Sequence, residues 1–193
     1  TQEDRLIKEA KHLHRFLGEA TEKPRHILYF GERGIELKTP EHINHNGQRV
    51  DFTTIDIRIG AGNLSKKQPL PKSMGLTNQT VIDATAGFCG DAILLALMGF
   101  QVIAIERSPI ISILLRDGMR RAKEDIELWG AIGNNLHILE GDAKQLLQAH
   151  QNIDVIYIDP MFPKKKKKSP LPPGHIQLLS QITGDDLDAD SLF

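Results

Sequence analysis

Residues 81–91 read VIDATAGFCGD and join a short apolar strand to the start of a helix through a loop of small residues. Gly87 and Gly90 let the backbone turn sharply and lie close to a ligand. Asp83 and Asp91 flank this loop, so a pyrophosphate bound there would be repelled. The loop therefore favours a cationic or zwitterionic ligand.

The spacing of the glycines also departs from the dinucleotide pattern. G-x-G-x-x-G would need a glycine at Cys89 and a third glycine three residues later. S-Adenosylmethionine carries an ammonium and a sulfonium charge, which suits a loop flanked by two acids. It is the leading candidate for the cofactor.

Strands and helices alternate after Thr80. The expected strands are 81–84, 102–105, 136–139 and 155–158, and the expected helices are 91–98, 110–129 and 143–150. This order predicts an α/β fold, a doubly wound Rossmann-like sheet of parallel strands. The fourth strand is continuously apolar, as a strand buried on both faces should be. Ligands of such sheets bind beyond the carboxyl ends of the strands, and the acids expected at those ends are Asp83, Glu106, Asp142 and Asp159.

Residues 1–75 are expected to form a small N-terminal α+β appendage and a linker. The pattern predicts a helix at 5–16, a hairpin within 26–38 and a third strand at 50–57. Residues 60–75 are rich in Gly, Pro, Ser and Lys, which is typical of a linker. We therefore place the domain boundary after residue 75 and expect the domain at 76–193 to be incomplete at its C-terminal end.

Charge and cysteine content narrow the class of protein. The 24 basic and 25 acidic residues nearly cancel, so nucleic-acid binding needs a local patch. A single cysteine excludes an intramolecular disulfide, and no membrane span or signal peptide is expected, which fits a cytoplasmic protein. The pairs His12/His14 and His42/His45 lack acidic or cysteine partners, so no metal site is predicted.

Two acids at strand ends are candidate cofactor ligands. Glu106 can accept hydrogen bonds from both hydroxyls of an adenosine ribose, or it can be an exposed acid that pairs with Arg107. Asp142 can accept a hydrogen bond from the adenine amino group, cap the helix that follows it, or do both.

The fourth strand ends in DPMFP, residues 159–163. This turn resembles the D/N-P-P-Y/F tetrapeptide of methyltransferases that act on exocyclic amines, with Met161 in place of the second proline. Such an amine is a poor nucleophile because its lone pair is delocalised into the ring. Asp159 and the Pro160 carbonyl would accept its two N–H bonds and Phe162 would stack on the base, so positioning is most of the catalysis. An ordinary rigid turn is the alternative.

A lysine run follows this turn directly. It would lie at the mouth of the pocket, where it can hold the phosphates beside the target base. A solvated loop is the alternative. The candidate RNA-binding residues are Lys164, Lys165, Lys166, Lys167 and Lys168.

Taken together, DATAG at 83–87, DA at 91–92, IERSP at 105–109, DG at 117–118 and YIDPMFP at 157–163 resemble the ribosomal RNA small subunit methyltransferase J family. The resemblance implies methyl transfer from S-adenosylmethionine to guanine N2 of 16S ribosomal RNA, free or in the assembled small subunit. The residues it implies, with those of the loop, for the cofactor site are Asp83, Ala84, Gly87, Gly90, Asp91, Glu106, Arg107, Asp142, Ala143 and Asp159.

The chain departs from this family in several ways, two of which fall on the expected cofactor site. The family has Gly-Arg where this chain has Cys89-Gly90, and a pair of small hydroxyl residues where it has Asp142-Ala143. Three other functions stay open: methylation of adenine in DNA or RNA, a nicotinamide-dependent oxidoreductase, and a non-catalytic RNA-binding factor. The acids beside the loop and the absent third glycine disfavour the oxidoreductase.

Overall fold

The computed structural model describes residues 24–58, 64–65, 67–75 and 79–159, together with residues 4, 7, 8, 10 and 11. The chain divides into two compact units, residues 1–49 and 50–193. The turn after Asp159 and most of the helix predicted at 5–16 lie outside the described residues.

The N-terminal unit contains the predicted hairpin, which is confirmed. Its antiparallel strands are β1 (Ile27–Gly31) and β2 (Gly34–Lys38). Gly34 has a φ of 107°, which the tight turn between the strands requires. Leu37 of β2 also exchanges two backbone hydrogen bonds with Gln48, so the chain beyond the hairpin is held against it.

The prediction of a strand at 50–57 is wrong, because this segment contains a short 3₁₀ helix, Phe52–Thr54. The Asp51 carboxylate accepts hydrogen bonds from the backbone N–H and the hydroxyl of Thr53, a local arrangement that competes with strand pairing. The segment belongs to the second compact unit, where Asp51 pairs with Arg121 at 3.0 Å. The compact units therefore divide after residue 49, whereas the domain boundary after residue 75 stays a prediction.

The second unit is built on a four-stranded parallel sheet with the order β5-β4-β3-β6. The strands are β3 (Thr80–Asp83), β4 (Gln101–Glu106), β5 (Leu136–Glu140) and β6 (Val155–Tyr157). The chain runs outward from β3 to β5 and then returns to the other side of β3. The predicted doubly wound, Rossmann-like α/β fold is confirmed, and the strand order reverses between β3 and β6.

The helices of this unit are α1 (Pro69–Met74), α2 (Gly90–Leu97), α3 (Pro109–Glu124), α4 (Ile126–Ile132) and α5 (Ala143–Leu146). The single helix predicted at 110–129 is two helices, because Asp125 is extended and its carboxylate caps α4 by accepting the Leu128 N–H at 3.0 Å. No helix in the described parts of the chain has the length and apolar character of a membrane span.

The central strands contribute fully buried side chains to the core, whereas β6 does not. Val81, Ile82 and Val102 are fully buried, which is typical of parallel strands covered on both faces. Ile156 in β6 is 51% exposed. The predicted burial of this strand is therefore wrong, since within the described residues only β3 pairs with it.

Candidate functional site

Four carboxylates meet at the carboxyl edge of the sheet. Asp83 ends β3, Asp91 lies in the first turn of α2, Glu106 ends β4 and Asp159 follows β6. The charges of the other three all act on Asp83. This edge includes the point between β3 and β6 where the strand order reverses, which is where ligands of such sheets bind.

Asp83 is the more deeply buried of the two buried acids at this acidic edge, the other being Glu106. Its side chain is 2% exposed and its Oδ1 accepts the Thr85 N–H at 3.1 Å. Burial, followed by the charges of Asp91, Glu106 and Asp159, raises the pKa of Asp83 to about 7, against the opposing hydrogen bond from Thr85. A cation placed at this edge would favour the charged carboxylate and would therefore lower the pKa of Asp83.

An Asp83→Asn variant should be more stable than the wild type above about pH 7, by roughly 2–4 kcal/mol. Between pH 4 and 7 the folded chain keeps a proton that the unfolded chain has lost, so wild-type stability falls as the pH rises. The asparagine is neutral and retains an oxygen for the Thr85 N–H. Urea unfolding from pH 4 to 8 should show a difference that is small at pH 4 and grows towards pH 7. A difference that does not change with pH would contradict the assignment.

Glu106 is bound to the backbone at both of its oxygens. Its Oε2 accepts the Gly87 N–H at 2.8 Å and its Oε1 accepts the Ser108 N–H at 2.7 Å, and the side chain is buried. Arg107 is exposed. Glu106 is therefore a buried acid that joins the loop after β3 to the turn after β4. A carboxylate has about four lone-pair directions and can accept several hydrogen bonds at once, a ribose hydroxyl among them.

The loop before α2 turns through two residues with positive φ. Gly87 has a φ of 51° and Cys89, which is fully buried, has a φ of 57°. The Cys89 N–H donates to the Ala86 carbonyl at 2.7 Å. Burial and the nearby carboxylates of Asp83 and Glu106 raise the pKa of the Cys89 thiol, so it stays protonated. The residue that follows, Gly90, is exposed, and a Cβ added there would meet no atom within 4 Å.

A Gly90→Ala variant should therefore raise the free energy of unfolding, by about 0.5 kcal/mol. Gly90 begins α2 and has no positive φ, so alanine fits the native backbone and restricts the unfolded chain. The matched control is Gly87→Ala, which should lower stability because its φ is positive. Urea denaturation of both variants checks the opposite signs. Two shifts in the same direction would contradict this account.

Two residues that sequence reasoning missed hold the site together. The Thr85 hydroxyl accepts the Asp159 N–H at 2.8 Å, and the Tyr157 hydroxyl donates to Asp91 Oδ2 at 2.8 Å. Burial and the bond to Asp91 raise the pKa of Tyr157, so its hydroxyl remains a donor. The Asp159 residue itself is exposed, so its carboxylate is open to a substrate. A polar Tyr157 in the otherwise apolar run VIYI was the available signal.

Asp142 acts as a helix cap in this structure. It is exposed, and its Oδ1 accepts the Lys144 N–H at 2.9 Å at the start of α5. The predicted contact to adenine is compatible with capping and stays a prediction. Ala143 and Ala84 are both buried in one apolar cluster with Ile105. Any contact that they make with a ligand would therefore be made by their backbone atoms.

Several predicted site residues lie outside the described residues: Pro160, Phe162, Lys164, Lys165, Lys166, Lys167 and Lys168. Their roles stay predictions. Within the described ranges, no group of three or more His, Cys, Asp or Glu residues is arranged to hold a metal ion.

The chemistry of the acidic edge suits S-adenosylmethionine. A buried acid and three neighbouring carboxylates attract a ligand with net positive charge. Glu106 is a buried carboxylate at the end of β4, and a carboxylate there suits a ribose hydroxyl. The residues present therefore fit this cofactor.

Comparison with known proteins gives one family. Residues 11–193 match the family described as "Putative SAM-dependent methyltransferase". "Ribosomal RNA small subunit methyltransferase J" of Aeromonas salmonicida is 37% identical over 180 residues, which are 89% of this chain and 71% of that protein. The protein of the same name from Tolumonas auensis is 36% identical over 173 residues, 86% of this chain and 68% of that protein.

A solved structure is also similar. The crystal structure of a SAM-dependent methyltransferase from Neisseria gonorrhoeae superposes with a TM-score of 0.58 at 28% sequence identity. The match covers 76% of this chain and 60% of that protein. The chain thus spans about three fifths of the crystallised protein.

Proposed function

The chain belongs to the ribosomal RNA small subunit methyltransferase J family of S-adenosylmethionine-dependent methyltransferases, and on this premise we propose that it methylates guanine N2 in small-subunit (16S) ribosomal RNA. The observation that carries the proposal is that Asp159 shares one sheet edge with the buried acids Asp83 and Glu106. A cofactor cation and an amine nucleophile can therefore be held side by side.

S-Adenosylmethionine is the cofactor of this family, and when bound it supplies a methyl group on a sulfonium leaving group. Asp83, Asp91 and Asp159 provide the negative charge that attracts it. Glu106 would accept from the ribose and Asp142 from the adenine amino group. The remaining proposed cofactor contacts are Ala84, Gly87, Gly90, Arg107 and Ala143.

The catalytic contribution of the chain is the orientation of the amine. The Asp159 carboxylate and the Pro160 carbonyl would accept the two N–H bonds of guanine N2, which aims the nitrogen lone pair at the methyl group. The bond from Asp159 N–H to Thr85 fixes the main chain from which the carboxylate projects. Phe162 would stack on the base, and the lysines at 164–168 would hold the neighbouring phosphates. We propose a cytoplasmic location, where ribosomal RNA is the available substrate.

Methyl transfer to small ribosomal subunits tests this function. The protein is incubated with methyl-labelled S-adenosylmethionine and unmodified small subunits or free 16S RNA, and the RNA is digested to nucleosides. Labelled N2-methylguanosine is the expected product. Labelled methyladenosine would move the target to adenine, and cofactor binding without label would mean that the substrate is wrong. Absence of cofactor binding would overturn the proposal.

A further inference from the structure

A cavity of about 480 Å³ lies beside β5, at the outer edge of the sheet. We call it the β5-edge groove. Its walls come from α3, α4 and β5, and its polar and aromatic lining includes Arg116, Arg120, Lys123, Trp129 and His137. Because β5 and β6 lie at opposite edges of the four-stranded sheet, the groove is separate from the turn that carries Asp159.

The lining of the groove is basic and contains no Asp or Glu. Ion pairs hold two of its cations in place. Arg116 pairs with Glu140 at 2.8 Å, and Arg120 pairs with Glu124 at 2.7 Å and with Asp117 at 3.0 Å. Lys123 makes no ion pair with a carboxylate of the described residues. Its ammonium instead lies 5.1 Å from the centroid of the Trp129 ring. Among the described residues, Lys123 is therefore a cation that contacts an aromatic platform and is not neutralised by a carboxylate.

The platform is continued by an exposed apolar side chain. Ile126 is 88% exposed and lies three residues before Trp129 on α4, so the two side chains share a helix face. An aromatic ring bordered by cations is the arrangement that binds single-stranded nucleic acid, because bases stack on the ring and phosphates pair with the cations. An acidic peptide would use the cations and leave the indole without a matching partner.

We propose that the β5-edge groove binds a single-stranded segment of the RNA substrate, with one base stacked on Trp129 and the flanking phosphates at Arg116, Arg120 and Lys123. The proposal rests on the proposed function, which makes RNA the substrate. Stacking of a base outweighs the exposed contact of Lys123 with the ring, so the lysine is free to turn to a phosphate. The segment held here is remote from the methylated base, and the groove therefore contributes affinity and leaves the chemical step unchanged.

Trp129 is the only tryptophan of the chain, so its fluorescence reports on this groove alone. Titration of the full chain with a short single-stranded oligoadenylate should quench that fluorescence in a saturable, salt-sensitive manner. Lys123→Gln should weaken binding several-fold and lower the salt slope by about one, whereas Lys123→Arg should bind as the wild type does. In fluorescence anisotropy with labelled oligoadenylate, Trp129→Ala should weaken binding about tenfold and Trp129→Phe much less. Circular dichroism checks that Trp129→Ala folds.

Three results would overturn the proposal: no quenching, equal affinity of Lys123→Gln and the wild type, or polyglutamate binding as tightly as the oligoadenylate. The last would assign the groove to an acidic polypeptide. Methylation of small subunits separates this proposal from the proposed function. Lys123→Gln should raise KM for the RNA several-fold with kcat and cofactor affinity unchanged. An active enzyme with an unchanged KM would refute only the proposed role of the groove. Oligoadenylate binding without methyl transfer would refute only the proposed methyltransferase function.

Discussion

Replacing Asp159 with alanine should lower kcat for methyl transfer by about 10²- to 10³-fold. The variant loses the carboxylate that would accept an N–H of the target amine, so the lone pair of that amine is no longer aimed at the methyl group. The fold should be retained, because the side chain is exposed and the bond of the Asp159 N–H to Thr85 is a main-chain bond. The measurement is single-turnover methylation of small subunits at saturating cofactor.

Two matched variants show which part of Asp159 acts. Asp159→Asn keeps one acceptor oxygen and should retain part of the activity. Thr85→Val leaves the carboxylate intact and removes the acceptor of the Asp159 N–H, so it should cost less, through looser positioning. Wild-type kcat in Asp159→Ala would refute the catalytic assignment, and activity equally low in all three would point to a structural role.

Replacing Glu106 with alanine should destabilise the chain by roughly 2–5 kcal/mol and weaken cofactor binding more than tenfold. The buried N–H groups of Gly87 and Ser108 would both lose their acceptor. The loop at Gly87, which is the proposed cofactor loop, would then lose its link to β4. Urea denaturation measures the stability and equilibrium dialysis measures the cofactor affinity.

The control for this variant is Glu140→Ala. Glu140 pairs with Glu106 in the register of β4 and β5, but it is exposed and its pair with Arg116 lies at the surface. Its loss should cost at most about 1 kcal/mol. Glu106→Gln keeps one acceptor oxygen and should fall between the two. Equal losses of stability in Glu106→Ala and Glu140→Ala would contradict the role of Glu106.

The sheet could be predicted because short apolar runs and helical periods alternate along the chain after Thr80. This pattern is local, because the residues of each strand or helix are sufficient to predict that element. The break at Asp125 was missed because the apolar residues continue past it at helical spacing, and only the geometry of the cap shows that the aspartate ends one helix and begins another. The exposure of Ile156 was missed because composition does not show which strands pair with β6.

The acids of the site could be named from their positions at strand ends or, for Asp91, beside the loop, whereas their hydrogen-bond partners could not. Tyr157 and Asp91 are 66 residues apart, and they meet only because β6 returns beside β3. The bond that Glu106 accepts from the Gly87 N–H depends in the same way on the path of the loop after β3. Contacts of this kind follow from the strand order, which a local pattern does not contain.

The acidic edge has a consequence for turnover. Transfer of a methyl group from a sulfonium leaves a neutral thioether, so the spent cofactor has one positive charge fewer than the fresh one. At the proposed cofactor site, the attraction exerted by Asp83, Asp91, Glu106 and Asp159 would fall by the same charge. An edge of this charge would therefore favour exchange of the spent cofactor for a new, more positively charged one, and so would speed the start of the next catalytic cycle.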